Sequence, residues 1–158
     1  MSFLVIFLGL LGVLFAVAFV TKRRFGVLGL GLATGAFMSG LWVGDLTPLI
    51  ASTGVELVRP PLESVVSAAL ILLPATLLLM SGPTNKAGLS RLLGAVLFAV
   101  FAGVLLLEPL GSALIIEGIG QTIYDTLVAY RNPIITICLA LALFDILGVK
   151  TPKVALKH

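Results

Sequence analysis

Long apolar runs alternate with short polar segments along this chain. The runs cover residues 3–20, 25–44, 64–81, 89–107 and 134–149. A helix needs roughly 20 consecutive apolar residues to cross the hydrocarbon core of a bilayer. The pattern therefore predicts an all-α integral membrane protein with a single transmembrane domain, residues 1–158, containing about five transmembrane helices.

The run at residues 112–130 differs from the others because its polar side chains recur at helical spacing. Glu117, Gln121, Tyr124 and Asp125 lie opposite Ile116, Ile119, Ile123 and Leu127 on a helix. Opposed polar and apolar stripes are typical of a helix that lies in a membrane interface. We therefore predict one extracytoplasmic amphipathic helix over this run.

Prolines punctuate the third predicted span. Residues 45–63 contain prolines and charges and are predicted to form an outer loop, with Pro60 and Pro61 starting the third helix. Pro74 lies in the middle of that helix, where it should free the carbonyl near Leu70 and cause a kink. Both a static packing bend and a hinge at Pro74 are open, and the bend is the more common case.

Small residues form regular rows on the second and fourth spans. Such rows allow helix backbones to approach closely. The second span also carries Ala36 and Gly44, and we expect the fourth span to pack against residues 31–40. The predicted helix-packing residues are Gly31, Gly35, Ser39, Gly40, Ala95, Ala99 and Gly103.

Basic residues are sorted between the predicted loops. With five crossings, eight of the ten lysines and arginines fall on one side: Lys22, Arg23, Arg24, Lys86, Arg91, Lys150, Lys153 and Lys157. Because short loops rich in Lys and Arg stay in the cytoplasm, this predicts a multi-pass membrane protein with its N-terminus outside and its C-terminus cytoplasmic. A four-span alternative would leave the last three lysines on the wrong side.

No catalytic or metal-binding pattern is visible in the sequence. Cys138 is the only cysteine and lies in an apolar run, and His158 is terminal. Metal sites and nucleophile–base pairs need several such residues at defined spacing. We expect no enzyme activity, no metal and no cofactor. The net charge of +3 comes from juxtamembrane clusters, so we expect a lipid bilayer rather than nucleic acid as the partner.

Charged residues near the predicted span ends are candidates for contacts with ions or partners. Asp145 is the only acid inside a span, and a capping or ion-pair role there is favoured over a transport role. Glu63 and Glu108 lie at outer span ends, either as ordinary interfacial residues or, with Asp45, as an acidic rim. The outer arginines could pair with Glu56, Glu63 or Asp125. The full set is Asp145, Glu63, Glu108, Glu117, Asp125, Arg59 and Arg131.

The order of elements resembles a known family. Arg91, Leu92, Leu93, Gly94 and Gly103 match a fourth span of the LLG-x-x-x-G type, and Arg23, Arg24, Phe25 and Gly26 match more loosely after the first span. Over roughly residues 1–130 the chain resembles the CvpA (colicin V production) family of small inner-membrane proteins. Phe98, Phe101 and the fifth span with its basic tail depart from that pattern. The resemblance implies a non-enzymatic protein linked to envelope integrity, export or purine-related phenotypes.

Two functions of different classes follow from these patterns. The small-residue rows favour a scaffold that self-associates, or a small subunit of an envelope or export complex, with the second and fourth spans as the interface. The alternative is a small oligomeric channel or transporter, with the outer acids as its mouth and Pro74 as its gate. The shortage of polar groups in the spans weighs against that alternative.

Overall fold

The chain folds into a bundle of helices. The computed structural model describes residues 3–54, 57, 60–81, 88–114, 116 and 118–148. Within these ranges lie α1 (Phe3–Thr21), α2 (Phe25–Ala51), α3 (Leu62–Ser81), α4 (Gly88–Leu105), α5 (Leu107–Ala113), α6 (Ile119–Ala129) and α7 (Arg131–Leu147). The prediction of an all-α fold is confirmed for the described residues.

The length and surface of the helices suit a multi-pass membrane protein. Four helices, α1 to α4, are long and apolar enough to cross a membrane, and the pair α6 and α7, bent by 54°, makes a fifth if it counts as one span. Large apolar side chains such as Phe37 and Met80 are 68% and 80% exposed on the outside of the bundle. A water-soluble protein rarely exposes so many.

Arginines tie one end of the bundle together. Arg23 donates hydrogen bonds to the carbonyls of Leu79 and Met80 at the end of α3, at 2.9 and 2.7 Å. Arg91 donates to the Phe19 carbonyl at the end of α1 at 2.7 Å and lies 3.9 Å from the centre of the Phe19 ring. These bonds satisfy carbonyls that a helix end leaves without partners. We call this end the basic end.

The glycines of α2 place this helix in the middle of the bundle. A Cβ at Gly29 would lie 2.9 Å from the Ala142 Cβ of α7, and one at Gly35 would overlap the Ile71 carbonyl of α3. Only glycine allows backbones to approach so closely. Helix α2 therefore packs against α3 on one side and α7 on another, while α1 packs against α4.

The predicted partners of the small-residue rows are wrong. Gly31 and Gly35 face α3 rather than α4, and a Cβ at Gly103 would lie 2.5 Å from Leu11 of α1. The rings of Phe98 and Phe101 on α4 are fully buried in the core. Helices α2 and α4 do contact each other, but Gly31, Gly35 and Gly103 lie against α3 and α1. Ala95 and Ala99 lie in the same core.

Pro74 lies inside a continuous α3, beside the closest approach of α2. Proline has no N–H to donate to the carbonyl of Leu70. A Cβ at Gly35 would lie 2.7 Å from that carbonyl oxygen, so the Gly35 backbone covers it. Weak Cα–H···O contacts are typical of such crossings. A neighbouring helix thus accommodates the freed carbonyl, as expected, and the choice between a static bend and a hinge at Pro74 stays a prediction.

The helix ends near two prolines differ from the prediction. Helix α2 continues to Ala51 with Pro48 inside it, so the predicted loop is wrong over residues 45–51. One proline removes one backbone bond and did not end this helix. Helix α4 stops at Leu105, short of the expected residue 107, because Pro109 cannot donate to the Leu105 carbonyl.

The predicted amphipathic helix over residues 112–130 is shorter than expected, and its facing differs at two positions. Gln121 and Asp125 are exposed and Leu127 is partly buried, as expected. Helix α5 ends at Ala113, and Gly118, at φ +61°, precedes the start of α6. Tyr124, expected on the polar stripe, packs edge-on against Phe3 with ring centres 5.6 Å apart, and Ile119 is 77% exposed. The ring of Tyr124 also lies against Gly111 of α5, which leaves room for it. An interfacial location for α6 stays a prediction.

The packing of α2 predicts that a change from glycine to alanine alters the stability of the protein differently at two positions of that helix. Gly35→Ala should lower the free energy of unfolding by about 1–3 kcal/mol, because the new methyl group overlaps the α3 backbone. Gly44→Ala meets no atom within 4 Å and should be neutral or stabilising by up to about 1 kcal/mol. Unfolding by SDS in mixed micelles, followed by circular dichroism, measures both. Equal stability of the two variants would contradict the packing.

Candidate functional site

A cavity of about 510 Å³ lies at the end of the bundle opposite the basic end. We call it the polar pocket. Helices α2, α3 and α5 and the first residue of α7 form its walls. Along α3 it extends from Glu63 to Ile71, which corresponds to roughly 12 Å of helix. It therefore reaches well into the bundle.

Four serines line the polar pocket in two hydrogen-bonded pairs. Ser39 of α2 and Ser67 of α3 are 2.8 Å apart, and Ser64 of α3 and Ser112 of α5 are 2.7 Å apart. Ser39 and Ser64 are the buried polar side chains of the described residues. Because a buried hydroxyl without a partner is costly, these pairs explain how serines fit into an apolar bundle.

One hydroxyl hydrogen of the Ser39–Ser67 pair has no protein acceptor among the described residues. Two hydroxyl groups share one hydrogen bond there, so one of the two O–H groups stays available. The other pair is different, because Ser112 also lies 3.2 Å from the carbonyls of Glu108 and Pro109 and can donate to them. Both Ser39 and Ser67 line the pocket. A ligand or water in the pocket can therefore accept a hydrogen bond there.

Three charged side chains line the polar pocket as well. Arg131 Nη1 lies 2.8 Å from Glu108 Oε2, and Glu63 is exposed beside them. The expected pairing of Arg131 with Glu63 or Asp125 is therefore wrong. The first turn of α7 brings Arg131 to α5, whereas Asp125 lies on the exposed surface of α6. Among the described lining residues, two carboxylates and one guanidinium sum to a formal charge of −1.

Asp145 lies at the basic end, outside the polar pocket. Its Oδ2 accepts a hydrogen bond of 2.8 Å from the backbone N–H of Gly26 in the first turn of α2, and its Oδ1 lies 3.4 Å from Arg24 Nη2. A carboxylate is favourable at a helix N-terminus because the first N–H groups lack partners. Asp145 therefore combines the capping and ion-pair roles expected from the sequence.

Some of the predicted contact residues cannot be placed relative to the pocket. Arg59 and Glu117 lie outside the described residues, as does Glu56. Cys138 is buried in α7. Within the described ranges, no group of three or more His, Cys, Asp or Glu residues could hold a metal ion.

The serine pairs were not predicted from the sequence. Ser64 and Ser67 are three residues apart and so share one face of α3, which is a usable signal for a polar face. Ser39 belongs to a row of small residues in the sequence, and that row indicates packing rather than a polar site. The pairs become visible only when the register between α2, α3 and α5 is known.

Comparison with protein-family models, with curated proteins and with solved structures finds no match. The resemblance to the CvpA family therefore stays a prediction from the sequence.

The contacts of Asp145 predict a graded loss of stability. Asp145→Ala removes both the bond to Gly26 and the pair with Arg24, and should lower the free energy of unfolding by about 1–2 kcal/mol. Asp145→Asn keeps an oxygen that can accept from Gly26, so it should lose about half of that. The SDS titration described above measures both variants. An Asp145→Ala protein as stable as the parent would show that neither contact matters.

Proposed function

We propose that this chain is a non-enzymatic, multi-pass membrane protein that binds a small polar ligand in the polar pocket, as part of a channel or transporter. One observation carries the proposal. Both buried polar side chains of the described residues and the Arg131–Glu108 ion pair line one cavity of an otherwise apolar bundle.

The cost of this arrangement supports a binding role. Polar and charged groups within membrane helices lose hydration, and they usually mark a ligand or ion pathway. A volume of about 510 Å³ lies in the range of small-molecule sites, roughly 300–1,000 Å³. The free hydroxyl of the Ser39–Ser67 pair and the charges near the mouth supply the few polar contacts that such sites use.

The orientation of the pocket follows from the positive-inside rule. Lys22, Arg23, Arg24 and Arg91 all lie at or beside the basic end. We propose that this end faces the cytoplasm of a bacterial inner membrane, with the N-terminus outside and the C-terminus inside. The polar pocket then opens to the outside.

A second proposal is self-association as a scaffold or a small subunit of an envelope or export complex. Gly35 and Gly103 pack against other helices of the same chain, so they do not form an interface between copies. Phe37, Leu41 and Gly44 share another face of α2; the two large side chains are exposed and Gly44 has no neighbour within 4 Å. This face can pack against another copy or another subunit.

The ligand-binding proposal predicts that water-soluble reagents reach Ser67. In a Cys138→Ala background, Ser67→Cys should react from outside the cell with a membrane-impermeant cationic methanethiosulfonate. The anionic analogue should react about tenfold more slowly because the pocket is negative. The matched control is Ala69→Cys, which is exposed on the outside of the same helix and should not react when lipid covers it.

Three outcomes would contradict the proposal or its orientation. An unreactive Ser67→Cys in intact and in permeabilised cells means that the pocket holds no water. Reaction only after permeabilisation reverses the orientation. Equal reaction at Ala69→Cys means that α3 is not embedded in lipid.

The self-association proposal predicts a crosslink at Phe37. With Cys138 replaced by Ala, Phe37→Cys should form a disulfide-linked dimer in oxidised native membranes, because two copies would bring this face of α2 together. Leu8→Cys, which is equally exposed on α1, is the control and should stay monomeric. A dimer band of equal strength in both variants would indicate random collision.

A further inference from the structure

A second, apolar cavity lies directly beside the polar pocket. We call it the apolar groove. It has a volume of about 260 Å³ and lies between α1, α3 and α5. Apart from Ser64, the side chains that form it are apolar, among them Leu10, Ala68, Leu72 and Leu106. Helices α1 and α3 touch only slightly, so the groove opens sideways between them.

The polar pocket and the apolar groove share one wall. Ser64 and Pro109 line both cavities. The wall is formed where α3 meets α5, through the 2.7 Å hydrogen bond between Ser64 and Ser112. The wall thus consists of this hydrogen bond and the buried ring of Pro109, and the hydrogen bond between two hydroxyls is its weaker part. A ligand that replaces this bond with its own polar atoms can occupy both cavities at once.

The charges of the polar pocket select the polar part of such a ligand. Arg131 is paired with Glu108, whereas Glu63 has no ion-pair partner among the described residues. A cationic group would neutralise the formal charge of −1, and a protonated amine also donates hydrogen bonds to carboxylates. Deeper in the pocket, the free hydroxyl of the Ser39–Ser67 pair can donate to an oxygen of the same ligand.

The shape of the apolar groove selects the rest of the ligand. Between Val65 and Leu72 the groove extends roughly 10 Å along α3. A chain that enters from the bilayer exchanges lipid contacts for contacts with the groove, so it gains packing rather than transfer from water. Because the chain is joined to the amine, it also holds the amine close to the polar pocket. A water-soluble amine gains nothing from the groove.

We infer that the ligand is an amphiphile with a protonated amine in its head group and one hydrocarbon chain. The head lies in the polar pocket, the chain lies in the apolar groove, and entry is sideways from the bilayer past Ser64 and Ser112. This inference rests on the proposed function, namely that the polar pocket binds a ligand.

Photolabelling tests the inference in the full-length protein reconstituted in phosphatidylcholine nanodiscs. The probe is a long-chain primary amine with a diazirine in its chain, and the control probe is the carboxylic acid with the same chain. The amine should label peptides lining the groove, residues 65–72 and 106–113, about tenfold more strongly than the acid. Excess unlabelled long-chain amine should remove the labelling, and butylamine at the same concentration should not.

Matched variants separate the two cavities. Ala68→Leu fills the apolar groove, while Ala69→Leu adds the same group to the outside of α3. Gly40→Leu fills the polar pocket, while Gly12→Leu is made in equally open space on α1, outside the lining of both cavities. Ala68→Leu and Gly40→Leu should each reduce labelling about tenfold, and both controls should stay within about twofold of the parent. Ala68→Leu should leave the reaction of Ser67→Cys with the soluble cationic reagent unchanged.

The outcomes distinguish the inference from the function on which it rests. If butylamine competes as well as the long-chain amine and Ala68→Leu labels normally, the hydrocarbon chain is not recognised, and the polar pocket binds a soluble amine. Equal labelling by the acid overturns the choice of an amine. Failure of both the labelling and the Ser67→Cys reaction overturns the proposed function together with the inference.

Discussion

The close approach of α2 to its neighbours is the contact on which the rest of this structure depends. In the first part of α2, Gly29 lies against α7 and Gly35 lies against the α3 backbone at the carbonyl that Pro74 leaves free. Further along the same helix, Gly40 and Gly44 have no neighbour within 4 Å. The close backbone contacts at Gly29 and Gly35 thus lie before Gly40, where α2 lines the polar pocket.

The two ends of the bundle are built from different interactions. At the basic end, Arg23, Arg91 and Asp145 bind backbone groups at the ends of α3 and α1 and at the start of α2. Such bonds replace water at helix ends and hold the helices at fixed positions. The other end contains a small apolar cluster formed by Phe3, Phe7, Val104 and Leu107. The polar links around the pocket are two serine pairs and one exposed ion pair, which is worth less than about 1 kcal/mol. A ligand can compete with links of this strength, and it cannot compete with backbone contacts between packed helices.

The sequence predicts where the helices lie along the chain better than it predicts which helices pack against each other. Apolar length alone locates α1 to α4, because a run of this kind has few alternatives to a helix. The rows containing Gly35 and Gly103 correctly indicate close packing, yet a row of small residues does not identify the helix that approaches it. Pro48 and Pro109 carry the same local signal, but α2 continues through one and α4 ends before the other. The polar pocket could not be predicted from the sequence either. Its serines lie on three helices, and the register between those helices depends on tertiary packing.

Gly40 keeps part of the polar pocket open. Glycine inside a helix of a soluble protein costs about 0.5–1 kcal/mol relative to alanine, so an unneeded glycine weakens the helix. At Gly35 the cost is offset by a contact that no other residue allows, but at Gly40 a larger side chain would meet open space. A leucine there would cover Ser39 and fill part of the cavity that Ser67 and Glu63 also line. Gly40 stabilises no helix contact, and its effect is to keep a polar cavity open beside buried hydroxyls. That combination favours ligand binding over packing as the role of this end of the bundle.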